Sequence, residues 1–127
     1  MINELYCLVG EILENAQYIE WNLAVLICKS NRINTTLNEE ELFDSMQTST
    51  MGQIIGYAEK IKIFTDEDLK ELKYILIKRN YLAHHFFKKN DIVKHQNNAG
   101  FLNNKIGELR NILSRIQDFN QYLASIE

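Results

Sequence analysis

Leu5, Val9, Ile12, Ala16, Ile19, Leu23 and Ile27 follow one another at spacings of three and four, the period of one helix face. They predict a helix from about Asn3 to Ser30, roughly 40 Å long at 1.5 Å per residue. Asn31, Asn34, Thr35 and Thr36 interrupt the stripe. Asn38 with Glu41 is a capping-box pattern, which predicts a short helix to about Met46. The polar run Gln47–Thr50 then opens a helix to about Phe64, with Met51, Ile54, Ile55, Ala58 and Ile61 inward. Thr65 followed by Asp66, Glu67 and Asp68 is a helix start with acids in its first turn. That helix is expected to reach about Phe87 on a stripe of Leu69, Leu72, Ile75, Leu76, Leu82, Ala83 and Phe86. Lys88 to Asn98 is polar and reads as a loop. The last helix spans about Asn98 to Ser125 on Leu102, Ile106, Leu109, Leu113, Ile116, Asn120 and Leu123. Four long amphipathic helices with short connections predict an all-α fold: a four-helix bundle with one short additional helix, in a single domain over residues 1–127.

Two of these helices carry a second apolar line. Tyr18, Trp21, Val25 and Cys28 lie nearly opposite the core stripe of the first helix, and Tyr74, Ile77, Tyr81 and His84 lie opposite that of the Thr65 helix. Two readings stand. Either each helix touches neighbours on both sides, or the lines form a homodimer interface built from aromatics. In the second case Tyr74, Ile77 and Tyr81 are expected near its centre.

Composition changes this picture little. The chain has 127 residues, no proline and five glycines, which favours long helices over a fold of many turns. Its longest apolar run, Leu23 to Cys28, is six residues, far short of the roughly 18 that a membrane span needs. Met1-Ile2-Asn3-Glu4 lacks the basic start of a signal peptide. Cys7 and Cys28 are too few for a disulfide framework. The expected compartment is the reducing cytoplasm, with no membrane partner.

Charge is more informative. The net charge is −3, yet residues 1–77 carry thirteen acids against six bases, whereas residues 78–95 carry five bases against Asp91 alone. His84, His85 and His95, the three histidines, lie in that basic window. Within it, Arg79 sits within about 20° of Leu72 and Phe86 on the apolar stripe. A guanidinium there is costly unless paired or solvated. Asn80 and His84 are four apart and share a face. An arginine to hold a phosphate, a histidine to move a proton and an amide to orient it form a phosphodiester-cleaving set. The plainer alternative is that Arg79 pairs with an acid such as Glu11 or Glu14, and that His85, Lys88 and Lys89 are ordinary surface groups. No metal is expected: His84 and His85 are adjacent, about 100° apart around a helix, and lack the i, i+4 spacing of a chelating pair.

The stretch Arg79-Asn80-Tyr81-Leu82-Ala83-His84-His85-Phe86-Phe87 resembles the signature of HEPN domains, the higher-eukaryote and prokaryote nucleotide-binding domains. Their mark is an arginine, commonly followed by asparagine, then a histidine after four to six residues; the gap here is four. Thr50-Met51-Gly52-Gln53-Ile54-Ile55 also looks like a helix start seen in bacterial members. The resemblance implies a metal-independent endoribonuclease, without cofactor, whose motifs face each other across a homodimer cleft. By that likeness Arg79 binds the scissile phosphate, His84 is general base or acid, and Asn80 orients His84 or the phosphate. Some such toxins carry a modifiable tyrosine two residues after the histidine. That position is Phe86 here, which has no hydroxyl to modify.

Two functions are therefore expected as rivals. One is an RNA-cleaving toxin of a toxin–antitoxin or phage-defence system, its substrate drawn in by Lys78, Lys88 and Lys89 and its action held in check by a cognate antitoxin protein. The other is a non-catalytic helical module that binds a nucleotide or a protein.

Overall fold

The computed structural model describes residues 1–126. Among them the chain forms six helices and no strand: α1 (Ile2–Lys29), α2 (Glu39–Gln47), α3 (Met51–Ile61), α4 (Asp66–His84), α5 (Phe86–Lys89) and α6 (Ala99–Ser125). The starts follow the side chains that cap them. Asn38 and Thr50 each complete a capping box, with Glu41 and Gln53. Thr65 accepts from the Asp68 amide, and Asn98 from that of Phe101.

The ends are less regular. α3 stops at Ile61 rather than Phe64, because Lys62 turns left-handed at φ 57° and Arg32 Nη1 donates to the carbonyls of Ile61 and Lys62 at 3.0 and 3.1 Å. α4 stops at His84 rather than Phe87. His85 leaves the helical region (φ −128°), and Phe86 turns inward and is fully buried. The turn is held by Asn90, whose Nδ2 donates to the Tyr81 hydroxyl at 2.7 Å and to the Phe86 carbonyl at 2.9 Å. The Lys88–Asn98 segment is thus no plain loop: it contains part of α5, and Ile92 is buried within it.

The core centres on α1 and α6. Leu5, Ile12, Ile19, Leu23 and Ile27 meet Leu102, Leu109, Ile116 and Leu123, all buried. Glu4 pairs with Arg110 near one end. Near the other, Asn22 donates to Asn120 Oδ1 at 3.1 Å, and Asn120 donates to the Asn15 carbonyl at 2.9 Å. Both helices therefore run the same way. α4 runs against α6, with Arg115 on Glu71 and Tyr122 on Asp68. It also packs on α1 and α3.

Two expectations about faces are corrected. Ala83, placed on the core stripe, is exposed: α4 ends one residue later, and Leu82 is the last residue of the helix to reach the core. Cys28, placed on the outer line of α1, is buried, because α2 folds back along α1 and covers it. Trp21 and Tyr18 of the same line are exposed, the Trp21 ring edge-on to Phe43 of α2 at 4.8 Å.

Candidate functional site

The candidate residues are not gathered in one cavity: Arg79 lines one, His85, Lys88 and Lys89 line another, and His84 lines neither. Arg79 points at the meeting place of four helices. It lines a space of about 290 Å³ with Gln17, Glu20 and Trp21 of α1, Gln47 of α2 and Ile54 of α3. Its Nη1 donates to Asn80 Oδ1 at 3.1 Å. Among the described residues Arg79 enters no salt bridge. Glu20 shares the cavity with it and feels its charge. Burial pushes the Glu20 carboxyl above its ordinary range, and the Arg79 charge pulls it partly back. Neither Glu11 nor Glu14 is the partner.

His84 is elsewhere. It is exposed at the end of α4, its ring 6.2 Å from that of His85, and it does not line the Arg79 cavity. The chain therefore brings Arg79 and Asn80 together and leaves His84 outside that cavity, with the Asn80 oxygen committed to the arginine. Lys88 and Lys89 are exposed and, with His85 and Tyr81, line an open space of about 520 Å³. Lys78 stands over Tyr74 and Tyr81, its Nζ 5.7 and 6.0 Å from their ring centroids. His95 stacks on Phe101 at 4.3 Å and bonds the Asp91 carbonyl, which makes it a packing group.

The expected dimer stripe is partly consumed within the chain. The Arg115 guanidinium lies 3.4 Å over the Tyr74 ring and holds Glu71 through two bonds of 3.0 and 2.8 Å. The Tyr81 hydroxyl takes the Asn90 amide, and its ring is edge-on to Phe86. Ile77 alone of the three is fully outward, 65% exposed. No group of three or more His, Cys, Asp or Glu among the described residues is placed to hold a metal ion. No described helix is long and apolar enough to cross a membrane.

Gln17, Glu20 and Gln47 escaped the sequence reading. Polar residues flanking an apolar stripe look like a solvated helix face, and only the fold reveals that α1 and α2 bring them to the space that Arg79 lines. Comparison with known protein families, characterised proteins and solved structures finds no match for the chain.

Proposed function

We propose that the chain is a metal-independent endoribonuclease of the HEPN type, a cytoplasmic toxin of a toxin–antitoxin or phage-defence system. In this proposal α1, α3, α4 and α6 make a four-helix bundle, and two copies join so that their Arg79–His84 motifs share one cleft. The observation that supports it is the state of Arg79. A guanidinium on the core-facing side of a helix is held by a neighbouring amide rather than by a salt bridge, and it opens onto a cavity. Structural arginines are normally neutralised, whereas one that must grip a phosphate has to keep its charge available.

The chemistry proposed is transesterification. His84 takes the proton of a ribose 2′-hydroxyl, and the 2′-oxygen attacks the phosphorus. The bond from phosphorus to the 5′-oxygen breaks, and that oxygen takes a proton from the acidic histidine, His84 of the second copy. The products are a 2′,3′-cyclic phosphate and a 5′-hydroxyl. Arg79 stabilises the charge on the phosphoryl oxygens, and Asn80 orients Arg79. Lys78, Lys88 and Lys89 attract the RNA backbone, and an antitoxin protein is the expected partner that restrains it.

The test is purified protein on a mixed RNA pool with end-group analysis. His84→Ala is expected to lower the rate at least ~100-fold, the scale of a positioned acid–base group. Arg79→Ala should lower it by a similar factor, His85→Ala far less, and EDTA not at all. Cleavage that survives His84→Ala or requires a divalent ion overturns the mechanism. The separation of His84 from the Arg79 cavity within one protomer favours a second reading, a non-catalytic nucleotide- or protein-binding module. Failure to cut any RNA, together with harmless overexpression, would establish that one instead.

A further inference from the structure

The cavity beside Arg79 has walls that a phosphate clamp alone does not need. Trp21 is 52% exposed, and its edge-to-face contact with Phe43, at 78° between planes, fixes the ring in place. Exposed indole surface is a stacking platform for a nucleobase. Gln17 and Glu20 have no side-chain hydrogen-bond partner among the described residues, although both line the space. At about 290 Å³ it lies at the low end of the roughly 300–1,000 Å³ of small-molecule pockets, room for one base rather than an extended ligand. Glu14 adjoins it on α1, lining a neighbouring surface with Gln17, Tyr18 and Trp21. Carboxylates on that wall repel a phosphate, so the uncharged base belongs against α1 and the phosphate against Arg79.

The carboxylate also selects among bases. Guanine alone presents two donors side by side, N1–H and the N2 amino group, which one carboxylate accepts together. Adenine and cytosine set an acceptor beside their amino group, and uracil flanks its single N–H with two carbonyl oxygens. Each of those places an acceptor against Glu20 and loses the paired bond. We propose that Gln17, Glu20, Trp21 and Gln47 form a guanine-specific base pocket, and that it holds the nucleotide whose phosphate Arg79 grips. The inference rests on the ribonuclease reading for the role of Arg79, but its binding chemistry can be measured without any cleavage.

Trp21 is the only tryptophan of the chain, so its fluorescence reports the pocket directly. The experiment titrates the intact protein with the four ribonucleoside 3′-monophosphates and follows quenching. Guanosine 3′-monophosphate is expected to saturate at a concentration at least roughly tenfold below the other three, the lower range of discrimination by a bidentate pair. Glu20→Gln, with its helical circular dichroism unchanged, should bring guanosine to within about threefold of adenosine, because the amide adds a donor where guanine needs an acceptor. Equal quenching by all four nucleotides overturns the proposal. So does no quenching by any, or a guanosine preference that survives Glu20→Gln. RNA cleavage by the same preparations separates the two readings. Cleavage with no preference for guanosine at the cut sites overturns the base pocket alone. Guanosine binding that depends on Glu20, in a protein that cuts no RNA, overturns the nuclease alone and leaves a guanine-nucleotide site.

Discussion

The seam between α1 and α6 and the second half of α4 are built on opposite terms. Along the seam every inward position serves packing. Ile12, Ile19, Leu109 and Ile116 are fully buried, and the polar side chains Asn15, Asn22 and Asn120 bond one another or a carbonyl across it. In the second half of α4 the packing rule fails repeatedly within six residues. Arg79 occupies a core-facing position without a salt bridge, Ala83 leaves the stripe, and the helix ends on two exposed histidines. Departures from local consistency that gather in one place are where a functional or a strained site is expected.

Four substitutions test how deep that contrast runs. Leu109→Ala should be the most damaging, lowering unfolding free energy in urea by about 2–5 kcal/mol, since the seam cannot collapse around the void. Asn120→Leu should follow at about 1–3 kcal/mol, because it leaves the half-buried Asn22 amide without its acceptor. If either is neutral, the seam is not the stable half. Arg79→Leu should shift stability by less than about 1 kcal/mol, since a partly solvated guanidinium offers little net stabilisation. A cooperative loss of several kcal/mol in the same melt would show Arg79 to be a structural ion-pair partner and remove the main support for its phosphate role.

Glu20→Gln should have the smallest effect, and its size depends on pH. The folded state raises the Glu20 pKa through burial. Between the unfolded and folded values the native state therefore holds more protons, and stability falls as pH rises through that window. Above it the penalty is complete, so Glu20→Gln should melt slightly higher than the unsubstituted protein at pH 7. The advantage should vanish as pH falls through the carboxylate range. Because Arg79 counteracts the shift, Glu20→Gln should raise stability at pH 7 by more in the Arg79→Leu background than in the unsubstituted protein, a coupling that a double-mutant cycle reads directly. Additivity of the two changes would mean the side chains do not sense each other.

What the sequence disclosed was local. Asn38, Thr50 and Thr65 announced their helices because a cap and the amide it satisfies lie three residues apart. The α1 and α6 stripes were equally plain, their period being set by one helix alone. What stayed hidden depends on partners distant in the chain. Cys28 reads as outward until α2 folds over it, and Ile92 reads as loop until Phe86 draws its neighbourhood inward. The motif residues Arg79, Asn80 and His84 were visible as types and spacing. The companions of Arg79 were not, since Gln17 and Gln47 owe their place to three helices converging.

The parallel pairing of α1 with α6 has a kinetic side. Its hydrogen bonds join residues 98 and 105 positions apart, so no local collapse can assemble the main core. As the polypeptide leaves the ribosome, the apolar stripe of α1 waits uncovered until α6 has been made. The entropic cost of closing so long a loop grows only slowly with its length, but it falls due before the contacts form, and so it slows folding relative to bundles of hairpin-linked helices. During that interval the nascent chain is open to chaperones and to aggregation. The Arg79 cavity, built from α1, α2, α3 and α4 alone, can take shape earlier. Its residues can meet before the core beneath them is sealed.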